Sequence, residues 1–278
     1  MSWDTWIRGV EVEPSIYAAD FARLGAQLTA LLDAGAQMFH VDVGDGHFID
    51  EITIGPVVIR SVADLVHERD GVFDCHLMVA QPDWQLELIK AAGGDSVTFH
   101  VEAEGDPAQT IARARDLGLG VGVALNPDTP VERAVAAAEG ADLVLCMSVH
   151  PGLSGQAFIP GALARITELR RILPDDVAVQ VDGGVSLETI AAAREAGASL
   201  LVAGSAVFWD RDPAGAYEAL LAAAGGLTDG AGTMRSTVSP RATITSNTIA
   251  AEKRPCSTTP TVADSCVASA SGSPSSPT

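Results

Sequence analysis

The chain has 278 residues, 47% of them hydrophobic, and a formal net charge of -19. A chain of this size can bury a large core. Its acidity, with no basic run, argues against nucleic acid or an anionic membrane as a partner. We find no apolar stretch near the roughly 20 residues that span a bilayer, and no basic-then-apolar signal peptide. The four cysteines form neither a disulfide framework nor a CxxC pair, which favours a reducing, cytoplasmic setting.

Strand-like and helix-like runs alternate along the chain at intervals of roughly 20 to 30 residues. The strand-like runs are nearly continuous in apolar residues, which is typical of parallel strands that are covered by helices. In chain order they are VEPSIY near residue 12, MFHVDV near 38, VFDCHLMV near 72, SVTFHVEA near 96, GVGVALN near 120, LVLCMSV near 143, VAVQVDG near 177 and LLVAGSA near 200. Ala- and Leu-rich stretches lie between them, and we expect Asp20 to cap the first helix and Ser186 a later one.

Eight βα units in about 220 residues predict an α/β protein with a single (β/α)8 TIM barrel. The structural alternative is a doubly wound open sheet. It is disfavoured because such sheets usually have five or six strands and because no GxGxxG follows the first strand here.

The composition changes after about Gly225, where the chain becomes rich in Ser, Thr, Pro and Gly and loses any sustained period. Such a segment cannot bury enough apolar surface to offset the entropy of ordering, so it is predicted to be disordered. The predicted organisation is an N-terminal extension over 1–9, a barrel domain over 10–224 and a tail over 225–278.

Four polar residues end apolar strand runs and predict a site for one divalent metal: His40, Asp42, His76 and Asp182. His40 and Asp42 are two apart, so both point to the same face of a strand. The carboxyl ends of barrel strands converge on one face, where active sites lie. Two imidazoles and two carboxylates suit zinc, iron(II), manganese or cobalt. His100, which ends the fourth strand, is expected to be structural.

Three consecutive Gly-rich loops follow the sixth, seventh and eighth strands: HPGLSGQAF, DGGVS and AGSAVF. Glycine lets backbone amides approach an anion closely, and barrel enzymes often bind phosphate with the loops after strands seven and eight. Each loop alone is weak evidence, but together they predict a phosphate site. Its candidate residues are Gly155, Gly183, Gly184, Gly204 and Ser205.

The chain resembles the ribulose-phosphate 3-epimerase family over about residues 10 to 223. The resemblance rests on PSIYAADFARLG, HVDVGDGHFIDEITIGP, CHLMV, FHVEA, GVALNPDTP, MSVHPGLSGQAFIP, VDGGVSLETI and VAGSAVF, in order and spacing. It implies a metal-dependent barrel enzyme of the pentose phosphate pathway that interconverts D-ribulose 5-phosphate and D-xylulose 5-phosphate through an enediolate. It also implies a homo-oligomer and a metal held by the four residues named above.

The same resemblance implies individual roles. Asp42 and Asp182 match the acid/base pair. Ser15 matches a residue that hydrogen-bonds substrate, and Met78 and Met147 match methionines that line the reacting carbons. His76 is also included among the predicted substrate contacts.

The family pattern is not followed everywhere. Gly44 stands where a Met is common, and we expect the absence of the Met side chain to enlarge the pocket. His150 and Leu153 replace Asn and Phe in the sixth-strand loop, which we expect to bring a titratable group next to the site. Trp84 is expected in the core.

Three other functions stay open. A sibling epimerase would act on another ketose phosphate, such as a hexulose 6-phosphate, for which Gly44 would make room. A sugar-phosphate-binding barrel would lack turnover, but the intact Asp42 and Asp182 argue against that function. Decarboxylase and aldolase barrels often use a catalytic Lys, whereas the lysines here, Lys90 and Lys253, lie in a predicted helix and in the tail.

Overall fold

The computed structural model describes residues 3–7 and 9–225. Apart from Gly225, the tail predicted over 225–278 lies outside the described residues. Residues 1, 2 and 8 of the predicted N-terminal extension also lie outside them.

Eight parallel strands alternate with helices and form one sheet. The strands are β1 (Glu11–Pro14), β2 (Met38–Gly44), β3 (Val72–Met78), β4 (Ser96–His100), β5 (Gly120–Leu125), β6 (Leu143–Met147), β7 (Ala178–Asp182) and β8 (Leu200–Ala203). Their order in the sheet is β1-β8-β7-β6-β5-β4-β3-β2. A parallel bridge between Ser15 and His40 joins the two edges, so the sheet nearly closes and the predicted (β/α)8 barrel is confirmed.

The helices cover the outside of the sheet, with a short 3-10 turn at Ile16–Ala18 after β1. They are α1 (Trp3–Trp6), α2 (Leu24–Asp33), α3 (Pro56–His67), α4 (Asp83–Ala92), α5 (Pro107–Asp116), α6 (Val131–Ala137), α7 (Ala162–Ile172), α8 (Ile190–Glu195), α9 (Ser205–Phe208) and α10 (Pro213–Ala223). Within the described part of the chain, no helix is long and apolar enough to cross a membrane.

The main core lies between the sheet and the surrounding helices. Each longer helix buries one apolar stripe; α3, for example, buries Ile59, Val62 and Val66 at helical spacing. A second cluster runs from Trp6 and Ile7, beside residues that begin several strands, to Met147 and Val149 at the carboxyl end of β6.

Three local predictions are wrong. Helix α8 begins at Ile190 with Thr189 as its N-cap, so Ser186 does not cap it. Helix α2 begins at Leu24, and the Asp20 carboxylate instead accepts hydrogen bonds from the Ala22 amide and the Arg23 side chain in the preceding turn. The Trp84 side chain is 75% exposed. Helix α4 buries its face through Leu86 and Ile89, and a residue two positions before Leu86 points about 200° away from it.

Candidate active site

The four residues that were predicted to bind a metal lie together at the carboxyl end of the barrel. Asp42 in β2 and His76 in β3 are register partners on neighbouring strands, and His40 lies two residues before Asp42 on the same face. Asp182 ends β7, which is separated from β2 by β1 and β8. One potential ligand atom from each residue lies within 4.8 Å of the others. The barrel therefore brings one carboxylate from each side of its mouth to a pair of imidazoles.

The electrostatics of this cluster favour positive charge. His40 and His76 are fully buried, and His76 Nδ1 lies 3.3 Å from Asp42 Oδ1 and 3.7 Å from Asp182 Oδ2. Burial acts to raise the pKa of Asp42, but the adjacent imidazoles outweigh it and hold that pKa well below its ordinary value. Burial acts to lower the pKa of both histidines, but the carboxylates around them raise it. A divalent cation would supply the positive charge that protons supply otherwise.

One nitrogen in the cluster is buried and has no hydrogen-bond partner. His40 Nε2 lies 3.5 Å from Asp42 Oδ1, beyond hydrogen-bond geometry, while His40 Nδ1 faces Asp74 Oδ2 at 3.1 Å. A buried imidazole nitrogen without a partner is costly unless a ligand takes it up, and metal-binding histidines commonly use the other nitrogen to contact a carboxylate. The two-imidazole, two-carboxylate set therefore fits one divalent metal of the zinc, iron(II), manganese and cobalt group.

Below the cluster lies a buried polar network that sequence reasoning missed. The Gln180 amide donates to Glu13 and to Asp74, and Ser96 donates to the other Asp74 oxygen. Burial raises the pKa of Glu13 to about 7, which favours its protonated form. The signal was present in the sequence, because Glu13, Asp74 and Gln180 each lie two residues before a predicted site residue and therefore face the barrel interior.

A cavity opens above the cluster. Asp42 and Asp182 lie in its wall together with Ser15, Met78 and Met147, which were predicted to contact substrate. The Ser15 hydroxyl donates to Asp42 Oδ2 at 2.5 Å. His76 is buried beneath this cavity and does not line it.

The rest of the cavity wall includes residues of the three Gly-rich loops after β6, β7 and β8. All five predicted phosphate residues line it: Gly155, Gly183, Gly184, Gly204 and Ser205. Gly183 and Gly184 have φ values of +112° and +66°, and a Cβ on Gly184 would lie 2.4 Å from the backbone nitrogen of Phe158. Glycine is therefore required where the β6 and β7 loops meet.

Tyr17 and Trp209 were not predicted at the site. Tyr17 lines the cavity. The Trp209 ring packs so closely on Gly155 that a Cβ there would lie 2.6 Å from it. Their aromatic character alone gave no signal, because their positions depend on the pairing of β1 with β8.

The departures from the family pattern have local explanations. Gly44 does not line the cavity, because the space beside it is filled by Ile49, whose Cδ1 would lie 2.6 Å from a Cβ at position 44. The expectation of an enlarged pocket is therefore wrong. The His150 side chain is 63% exposed, and its Nδ1 lies 3.9 Å from Asp128 rather than in the cavity wall. Leu153 does line the cavity.

Known proteins share the sequence pattern and the fold of this chain. Residues 11–208 match the model of the family described as "Ribulose-phosphate 3 epimerase family". The chain is 41% identical over 203 residues to ribulose-phosphate 3-epimerase of Schizosaccharomyces pombe, covering 73% of this chain and 89% of that protein. It is 42% identical over 207 residues to the Bacillus subtilis enzyme of the same name, covering 73% and 94%. Among solved structures, 3-hexulose-6-phosphate synthase from Salmonella typhimurium shares the fold, with a TM-score of 0.59, 17% identity and coverage of 77% and 98%.

Proposed function

Because this chain belongs to the ribulose-phosphate 3-epimerase family, we propose that it inverts carbon 3 of D-ribulose 5-phosphate to give D-xylulose 5-phosphate, with one divalent metal bound by His40, Asp42, His76 and Asp182. The enzyme is an isomerase that acts on a carbohydrate, and the family implies a sugar phosphate as substrate. The observation that carries the proposal is the convergence of Asp42 and Asp182 from separate sides of the barrel mouth on one cavity.

Inversion at carbon 3 requires proton removal from one face and proton return to the other. The carbon-3 proton is acidic because a carbonyl group lies at carbon 2, and its loss gives a planar enediolate. A divalent metal, when bound, would supply Lewis-acid stabilisation of the negative charge that develops on the substrate oxygens. Asp42 and Asp182 act as the base and the acid, and they exchange these roles when the reaction reverses.

The other cavity residues support this proton transfer. The Ser15 hydroxyl donates to Asp42 Oδ2 and holds that carboxylate oxygen at a fixed position. Met78 and Met147 give the reacting carbons an apolar wall that excludes water. Backbone amides around Gly183, Gly184 and Ser205 would bind the phosphate, so its charge needs no cationic side chain.

The space around Gly44 does not favour a six-carbon substrate. The proposal of a hexulose phosphate rested on extra room at that position, and Ile49 fills it. The pentulose phosphate is therefore the substrate that we assign.

The proposal is tested by metal removal and by matched amide variants. We expect chelator-treated protein to lose conversion of D-ribulose 5-phosphate, and to regain it when one equivalent of zinc, iron(II), manganese or cobalt is added. Asp42→Asn and Asp182→Asn should each fold normally by circular dichroism and lower the turnover rate by about 10²–10⁴. Full turnover by protein shown to contain no metal would refute the metal dependence. No conversion by metal-loaded wild type would refute D-ribulose 5-phosphate as the substrate.

A further inference from the structure

His100 lies directly behind one of the proposed metal ligands. It ends β4 and is 1% exposed, and its Nε2 lies 2.8 Å from His76 Nε2, with the two rings stacked at a centroid distance of 5.0 Å. The other His76 nitrogen, Nδ1, faces Asp42 and Asp182. His76 therefore presents Nδ1 to the metal site and Nε2 to His100.

Glu102 holds the far side of His100. Its Oε2 lies 3.2 Å from His100 Nδ1, while its Oε1 accepts hydrogen bonds from the backbone N–H of Asn126 at 2.9 Å and from the Thr129 hydroxyl. Burial acts to raise the pKa of Glu102, but these hydrogen bonds outweigh it and lower the pKa to about 2. The side chain is therefore a carboxylate, which can only accept hydrogen bonds.

The positions of the protons follow from these contacts. A metal on His76 Nδ1 uses the lone pair of that nitrogen, so the His76 proton lies on Nε2 and is donated to His100 Nε2. His100 must accept there, so its own proton lies on Nδ1 and is donated to Glu102. Only this placement of the protons gives each nitrogen of His76 and His100 a matching donor, acceptor or metal.

We propose that His100 and Glu102 are positioning residues that keep the Nδ1 lone pair of His76 available to the metal. The proposal rests on the metal site of the proposed function. The two metal-binding imidazoles are then held in parallel ways, because His40 Nδ1 contacts the Asp74 carboxylate directly and His76 reaches Glu102 through His100. Carboxylates in this position fix the tautomer and orientation of metal-binding histidines.

Glu102→Gln reverses this order while keeping the side-chain shape. The Asn126 N–H can only donate, so the amide oxygen of Gln must face it, and the NH₂ group then faces His100 Nδ1. His100 has to accept there and carry its proton on Nε2, which faces His76. His76 must then accept on Nε2 and carry its proton on Nδ1, the nitrogen that the metal needs.

Thr129→Val is the matched control. It removes the hydroxyl that donates to the same Glu102 oxygen but leaves that carboxylate, its bond from Asn126 and its contact with His100. Both substitutions disturb the same buried hydrogen-bond group, but only Glu102→Gln changes the proton order. A merely structural role would therefore predict similar effects of the two.

The test has two measurements on the full chain. The Co²⁺ affinity of wild type and both variants is measured by competition with a chelator and followed by visible absorption. The position of the His100 proton in Zn²⁺-loaded wild type is measured by imidazole ¹⁵N NMR. We expect Glu102→Gln to weaken Co²⁺ binding by about 10- to 100-fold, Thr129→Val to change it less than about twofold, and wild-type His100 to carry its proton on Nδ1. Wild-type affinity in Glu102→Gln, equal loss in both variants, or a wild-type His100 proton on Nε2 would overturn the positioning role alone. Wild-type protein that binds no Co²⁺ would overturn the metal site itself.

Discussion

Gly44, at the carboxyl end of β2, has no room for a side chain. A Cβ there would lie 2.6 Å from Ile49 Cδ1, 3.0 Å from the Glu51 carbonyl oxygen and 3.1 Å from Thr53 Cγ2. The first two distances cannot both be relieved by a side-chain rotation, because the Glu51 oxygen belongs to the backbone. Gly44→Ala forces residues 49–53 to shift, and overpacking of this kind costs about 1–3 kcal/mol of unfolding free energy.

A double-mutant cycle with Ile49→Val isolates the cause, because Val lacks the Cδ1 atom that makes the shortest contact. Ile49→Val alone should cost about 0.5–1.5 kcal/mol. We expect the double variant to lose about 1 kcal/mol less unfolding free energy than the sum of the losses in the two single variants. The assay is urea unfolding followed by tryptophan fluorescence, with midpoints compared between variants of equal slope.

Gly25→Ala is the control for the general effect of replacing glycine. It lies in α2, where the nearest atom to an added Cβ is Leu65 Cδ2 at 3.9 Å, so it should gain about 0.5–1 kcal/mol. Losses at Gly44 and Ile49 that add to within about 0.5 kcal/mol would show that Ile49 does not fill the space beside Gly44. A gain in stability from Gly44→Ala would refute the overpacking itself.

Three further predictions concern the site and the fold. Asp182→Asn should leave the melting temperature within a few degrees while lowering epimerisation by about 10²–10⁴, and near-normal turnover by the folded variant would refute its acid/base role. Gly184→Ala should raise KM for the sugar phosphate at least tenfold, because the added Cβ would clash with the Phe158 backbone. An unchanged KM in steady-state kinetics would show that this loop does not bind the phosphate. Burial raises the pKa of Glu11 from 4.5 to about 7, so the neutral form is favoured on folding, and the resulting stability is present below pH 4.5 and lost as the pH rises through 7. Urea unfolding should therefore show Glu11→Gln gaining on wild type by up to about 3 kcal/mol between pH 5 and pH 8.5, whereas a pH-independent difference would contradict it.

The sequence was sufficient to predict the barrel and the residues that meet at its mouth. Eight apolar runs at βα spacing leave few other folds, and a polar residue at the end of such a run must lie at the carboxyl face. The sequence alone therefore groups four residues at one site: His40, Asp42, His76 and Asp182. The comparison with relatives then confirmed the family.

The residues that were missed, and the wrong expectation for Gly44, depend on positions that are distant in sequence or in a loop. Glu13, Asp74 and Gln180 come from three strands and meet only because the barrel closes. Gly44 does not enlarge the pocket, because Ile49, five residues later in a loop, fills the space beside it. A single-residue comparison with the family pattern carries no information about such compensation.

The most direct test of the central claim, that Asp42 and Asp182 serve opposite faces of the substrate, is the fate of hydrogen at carbon 3 in deuterated water. Metal-loaded protein is given D-ribulose 5-phosphate, and early product is analysed by NMR before the reaction reverses. With two separate acid/base groups, every D-xylulose 5-phosphate molecule formed should carry deuterium at carbon 3. Early product that retains the original protium would show that one group removes and returns the same proton, and would contradict the account.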